Sequence, residues 1–173
     1  TKIQHKLGLK NCYAFDLQAV CSGFVYGLVV ANGLIKSGSA QNILLIGAET
    51  LSRIVDWQDR GSCVLFGDGA GAVVLSANKK DDSGIISHAL FSDGEYYDIL
   101  KTNGGPSMTG GEGKITMEGK EVFKHAVGKM SESVVIALKK AGLELEDVNL
   151  LIPHQANQRI ISAVGKKLGL SND

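Results

Sequence analysis

The chain has 173 residues, 18 basic and 18 acidic side chains, three cysteines and 44% apolar residues. That length supplies one ordinary core or parts of two smaller ones, and zero net charge gives no long-range pull toward nucleic acid or acidic lipid. Scattered cysteines without Cys-x-x-Cys or His-x-x-x-His spacing read as a reducing, cytoplasmic setting and no metal site, and no basic run interleaves with aromatics as a nucleic-acid binder requires.

Cys12–Gln18 reads as a short strand. The uncharged run from Leu17 to Ile35 approaches membrane-spanning length. Gln18, Ser22, Asn32 and three glycines interrupt it, so it reads instead as a helix, Cys21–Lys36, buried on all sides. Ser37-Gly38 stops that helix, and Asn42–Gly47 is a continuous apolar strand covered on both faces. Strand, helix and strand in this order predict a parallel sheet. Ala70–Ser76 is a further strand, and Gly84–Phe91 extends the sheet. Asp93–Gly113 is a glycine-rich polar connector. It divides the chain into residues 1–92, 93–113 and 114–173. Gly119–Ala141 is a long amphipathic helix with Phe123, Val127, Met130 and Val134 on its apolar face, and Gly142 suits its C′ position. Val148–Ile152 reads as a buried strand. Arg159–Leu168 is a helix with Ile160, Val164 and Leu168 inward, ended by Gly169, and Ser171 suits an N-cap.

Two residues carry the chemistry. Cys21 stands where the first strand meets the first helix. The positive end of a helix dipole there lowers a thiol pKa, and unpaired N–H groups of the first turn can hold an oxyanion. A free cysteine is otherwise a small hydrophobe, the reading given to Cys12 and Cys63. His154 follows Pro153 at the end of a strand, where parallel-sheet proteins place their sites. A neutral imidazole there can donate to a thioester oxygen or share a proton with a thiol. His5, His88 and His125 lack such a setting, and His125 is placed on the exposed side of its helix. Gly67-Asp68-Gly69-Ala70-Gly71 precedes a strand, so it reads as a tight turn rather than a nucleotide loop. Arg60 and Arg159 are each either a phosphate ligand or solvated surface.

Taken together, Ala14-Phe15-Asp16, Ala19-Val20-Cys21-Ser22-Gly23-Phe24, Asp59-Arg60-Gly61, Phe66-Gly67-Asp68-Gly69-Ala70-Gly71, Thr116-Met117-Glu118-Gly119, Glu121-Val122-Phe123-Lys124 and Pro153-His154-Gln155-Ala156-Asn157-Gln158-Arg159 resemble the β-ketoacyl-acyl-carrier-protein synthase III family. The resemblance implies an α/β fold, the thiolase-like αβαβα layering, of which this chain would be an incomplete central portion. It implies a decarboxylating condensation of an acyl-CoA primer, usually acetyl-CoA, with malonyl-acyl carrier protein (ACP), giving β-ketoacyl-ACP and starting fatty acid synthesis.

On that resemblance Cys21 is the acylated nucleophile and His154 assists decarboxylation. Arg60 and Gly61 lie at the adenine end of CoA. Gly119, Phe123, Ala156, Asn157 and Arg159 line the pantetheine tunnel or its entrance, and Gln155 and Arg159 meet ACP. The implied enzyme is a cytoplasmic homodimer without cofactor or metal, with CoA thioester as substrate and neither nucleic acid nor membrane as partner. Other Cys-His-Asn condensing enzymes, using different acyl-CoA primers, and a non-catalytic dimerisation or acyl-binding piece are the alternatives. The family's third catalytic group is an Asn in a Gly-Asn-Thr-like motif, which this sequence does not contain. Asn157 belongs to the His154 motif and does not replace it. The chain alone is therefore expected to condense poorly.

Overall fold

In a computed structural model of the chain, residues 1–78 and 83–170 are described. Ser171, read as a cap, lies outside them. A short helix, α1 (Lys2–Lys6), leads into an extended segment and then α2 (Gly23–Lys36). Strands β1 (Asn42–Thr50) and β2 (Asp68–Ser76) pair antiparallel along their whole length, from Asn42 opposite Ser76 to Thr50 opposite Asp68. A 3₁₀ segment at Gly94–Ile99 precedes a small antiparallel pair, β3 (Leu100–Thr102) and β4 (Ile115–Met117). Two helices follow, α3 (Gly119–Ala141) and α4 (Gln158–Leu168).

The helices form where the apolar period is 3.6 and the termini are marked. Gly142 and Gly169 each adopt φ 70°, the left-handed conformation that ends a helix and that glycine reaches without a Cβ clash. Lys139, Lys140, Lys166 and Lys167 sit in the last turns, complementing the negative dipole ends. Ile160, Val164 and Leu168 of α4 form the buried centre of the second half, with Phe123, Val127 and Met130 of α3 packed against them. Val164 is fully buried, worth about 1.5–3 kcal/mol of apolar transfer. In the first half α2 lies on β1. A Cβ on Gly27 would stand 2.6 Å from a Leu45 methyl, so the absent side chain sets the close approach. Long-range hydrogen bonds tie β4 and the residue before it to the segment after β1: the Ile115 N–H donates to the Ile54 carbonyl at 2.9 Å and Lys114 Nζ to the Arg53 carbonyl at 3.2 Å.

The strand expectations need correction. The parallel pair expected of Cys12–Gln18 and Asn42–Gly47 does not form, and both strand pairs among the described residues are antiparallel. Cys12–Gln18 is extended but has no ladder partner, and Tyr13 and Phe15 are exposed. Gly84–Phe91 adds no strand, and Val148–Ile152 is neither paired nor buried, with Leu150 and Ile152 about three-quarters exposed (75% and 76%). The apolar pattern is that of buried strands, but a strand needs a neighbour about 4.8 Å away to satisfy its backbone, and no described segment takes that place. The uncharged run from Leu17 proves to be part of a 14-residue helix and its lead-in, and among the described residues no helix is long and apolar enough to cross a membrane.

Candidate active site

Cys21 lies in a one-turn 3₁₀ segment, Val20–Ser22, immediately before α2. The turn is built locally. Val20 donates its N–H to the Gln18 side-chain oxygen at 3.0 Å, and Ser22 donates to the Ala19 carbonyl at 3.1 Å. Val20 adopts φ 49°, a left-handed conformation unfavourable for a β-branched residue. Strain of this kind is of order 1–3 kcal/mol and collects at functional turns. It brings Cys21 sharply off the extended segment and onto the helix start.

The electrostatics differ from expectation in two ways. The Cys21 thiol is pushed above its ordinary value, not below. Desolvation is the largest cause, and the Glu49 carboxylate pushes the same way, against a lowering hydrogen bond from the residue's own backbone. The residue still reaches solvent, but the protein around the sulfur disfavours its charged form. Fewer N–H groups are free as well. The 3₁₀ turn takes those of Ser22 and Gly23, which donate to Ala19 and Val20 carbonyls. A depressed fraction of thiolate at neutral pH follows. We expect iodoacetamide to alkylate Cys21 with a midpoint above that of a free thiol, and Glu49→Gln to speed the reaction at pH 7. A Cys21 midpoint below a free thiol's, read by mass spectrometry across a pH series, would contradict this assignment.

Glu49 itself escaped sequence reasoning. Its signal was a single charge closing the apolar run of β1. It faces Gly69 across the ladder, and with Phe24, Gly47 and Gly71 it lines an open groove of about 420 Å³. Neither Cys21 nor His154 lines that groove. The glycine block behind it is not a turn. Gly69 and Gly71 lie within β2, and neither they nor Gly67 has positive φ. Asp68 accepts from the Ser52 N–H at 2.8 Å and hydroxyl at 2.6 Å, which holds its carboxyl below the usual range.

The remaining candidates fall in two places. Arg60 and Gly61 occupy an exposed turn whose shape comes from Asp59, which accepts from the Gly61 N–H at 3.0 Å and from the Ser62 hydroxyl. These bonds hold the Asp59 carboxyl below its ordinary range. The others gather where α3 meets α4. Gly119 opens α3, Phe123 sits one turn on, and Ala156, Asn157 and Arg159 lead into α4. Phe123 and Ala156 both pack on the Ile160 cluster. Asn157 is the N-cap of α4, its side-chain oxygen accepting from the Ile160 N–H at 3.0 Å. Gln155 donates to the Pro153 carbonyl at 3.0 Å. His154 is exposed on the loop before that cap, and no hydrogen bond or ion pair joins it to Cys21 among the described residues. His125 is not on an open face as expected. It lies 3.9 Å from the Tyr96 ring centre and 3.7 Å from the Glu121 carboxylate. The cap makes a separable prediction: Asn157→Ala lowers unfolding free energy by about 1 kcal/mol, and Asn157→Asp restores it, both read by urea titration.

A family model for 3-oxoacyl-[acyl-carrier-protein (ACP)] synthase III matches residues 15–94, and its C-terminal counterpart matches residues 138–173. Those two matches hold the Cys21 turn and the His154 loop respectively. The chain belongs to the 3-oxoacyl-[acyl-carrier-protein] synthase III family. It is 55% identical to the synthase III of Ehrlichia canis over 97% of this chain and 53% of the relative. With the synthase III of Paramagnetospirillum magneticum it shares 54% identity over 100% of this chain and 55% of that one. The crystal structure of the synthase III from Aquifex aeolicus superposes with a TM-score of 0.91 at 47% identity, covering 98% of this chain and 53% of the other. The α/β fold is therefore the thiolase-like fold of synthase III. The chain spans about half the length of the synthase III relatives it matches.

Proposed function

We propose that this chain carries the acyl-loading half of a decarboxylating Claisen condensation. The supporting observation is the strained turn that sets Cys21 ahead of α2. In the proposed reaction the Cys21 sulfur attacks the carbonyl of an acyl-CoA thioester, probed as acetyl-CoA. The carbon–sulfur bond to CoA breaks, and the thiol proton leaves with CoA as its free thiol. Malonyl-ACP then loses CO₂, and His154 donates a hydrogen bond to the developing enolate oxygen. The enolate carbon attacks the acyl-cysteine carbonyl, and Cys21 leaves as thiolate with β-ketoacyl-ACP formed. The thioester itself supplies the activated acyl group, so this chemistry calls on no resident cofactor. Acyl-CoA and ACP are the partners, Arg60 and Gly61 the adenine end of the CoA path, and Gly119, Phe123, Ala156, Asn157 and Arg159 its pantetheine end. Gln155 and Arg159 would meet ACP. The same reading makes the protein a cytoplasmic homodimer starting fatty acid synthesis.

A second reading draws on Tyr13, Phe15, Leu150 and Ile152, whose apolar side chains are exposed. In it the chain is a non-catalytic dimerisation or acyl-binding piece. Exchange of labelled CoA into acetyl-CoA separates the readings. Exchange without acetate release supports reversible acylation. Acetate release without exchange indicates a hydrolase, and neither reaction favours the second reading.

A further inference from the structure

Arg159 is placed against local electrostatic preference. It is the second residue of α4, at the positive end of the helix dipole, and that first turn contains no acidic residue. Among the described residues its side chain makes no ion pair and no hydrogen bond, whereas Lys101, Lys124 and Lys129 each have a carboxylate. Its partner among the described residues is a ring: the guanidinium carbon lies 5.7 Å from the centre of Phe123 on α3. That distance is within cation–π range. Phe123 is in turn held by packing against the Ile160, Val164 and Leu168 cluster, so the ring is anchored while the guanidinium is exposed. A ring satisfies the charge without occupying any of the five N–H donors, which stay available for carboxylate or phosphate.

We infer that Phe123 is the positioning residue for Arg159, a platform that holds the guanidinium ready for the acidic surface of ACP. This rests on the proposed docking of ACP at Arg159. It gives Phe123 a task beyond forming a wall of the pantetheine path, because one aromatic ring then serves both the path and the docking surface.

The test is a double-mutant cycle on the 173-residue chain, with ACP binding read by fluorescence anisotropy and free CoA binding as the second arm. Phe123→Leu keeps apolar bulk and removes the ring, and is expected to weaken ACP binding about 2- to 5-fold. Arg159→Gln weakens it further, and Phe123→Leu adds nothing on the Arg159→Gln background. Phe123→Trp, which keeps a ring, retains ACP binding and guards against a general loss of packing. The platform is overturned alone if Arg159→Gln weakens binding but Phe123→Leu multiplies that loss in full, or if the two positions couple only toward CoA. If Arg159→Gln leaves ACP binding at the parent value, the docking reading fails and the platform fails with it.

Discussion

Cys21→Ser is expected to reduce acyl transfer from acetyl-CoA by about 10³-fold or more, with Cys21→Ala abolishing it. The physical reason is the proton. A serine hydroxyl is almost never ionised in water, whereas a thiol ionises readily, and burial and Glu49 push the Cys21 thiol upward from that ordinary value. Wild-type acylation should accordingly climb with pH through a thiol midpoint above the ordinary value, and the serine variant should lack that climb. Cys12 and Cys63 supply the controls. Cys12 is exposed, with its sulfur 3.4 Å from the Gln4 amide nitrogen, and Cys63 is half-buried beside the Asp59 turn. Neither stands at the start of a helix of any length, so Cys12→Ser and Cys63→Ser should leave label exchange within about two-fold of the parent. Equal losses at all three cysteines would mean that the Cys21 turn has no special role.

His154→Ala is expected to suppress decarboxylation of malonyl-ACP by about 10²–10⁴-fold while altering acyl loading at Cys21 far less. The asymmetry follows from placement. Loading needs the sulfur and a path for CoA, and no hydrogen bond ties His154 to Cys21 among the described residues. Decarboxylation needs a donor at the enolate oxygen, the role proposed for the imidazole. The synthase III resemblance implies a second donor from a Gly-Asn-Thr-like motif, and this sequence contains no such tripeptide. One such donor is worth about 10²–10³ in rate. The chain should therefore decarboxylate malonyl-ACP that far below a site with both donors, and carbon dioxide release measured on the parent and the His154→Ala variant tests both statements.

Helices α2, α3 and α4 were legible in the sequence because their determinants are local: a 3.6-residue apolar period and a marked end, with Gly142 and Gly169 in the left-handed conformation that only a glycine takes cheaply. Strand character at Asn42–Gly47 and Ala70–Ser76 was equally local, but direction was not. The parallel pair expected of Cys12–Gln18 and Asn42–Gly47 across the helix does not form among the described residues; β1 pairs antiparallel with β2, because a strand's partner is set by segments far away in sequence. Val148–Ile152 illustrates the same limit, since its apolar residues match a buried strand yet have nothing beside them. The glycine block looked like a turn because glycine is usual there. In β2 the block is extended, and Asp68 does the anchoring through Ser52. At the site, the positions of Cys21 and His154 relative to helix and strand ends could be read directly. The direction of the Cys21 shift could not, because desolvation and Glu49 act through space rather than along the chain. The resemblance ties Asn157 only to the CoA path, whereas its side-chain oxygen, accepting from the Ile160 N–H, makes it the α4 cap.

The most direct test is intact-mass analysis and peptide mapping of the 173-residue chain after brief exposure to acetyl-CoA. One acetyl group is expected, carried on the Cys21 peptide and absent from the Cys12 and Cys63 peptides. Acetylation spread evenly over the three cysteines, or none at any of them, would contradict the claim that the Cys21 turn is built to take an acyl group.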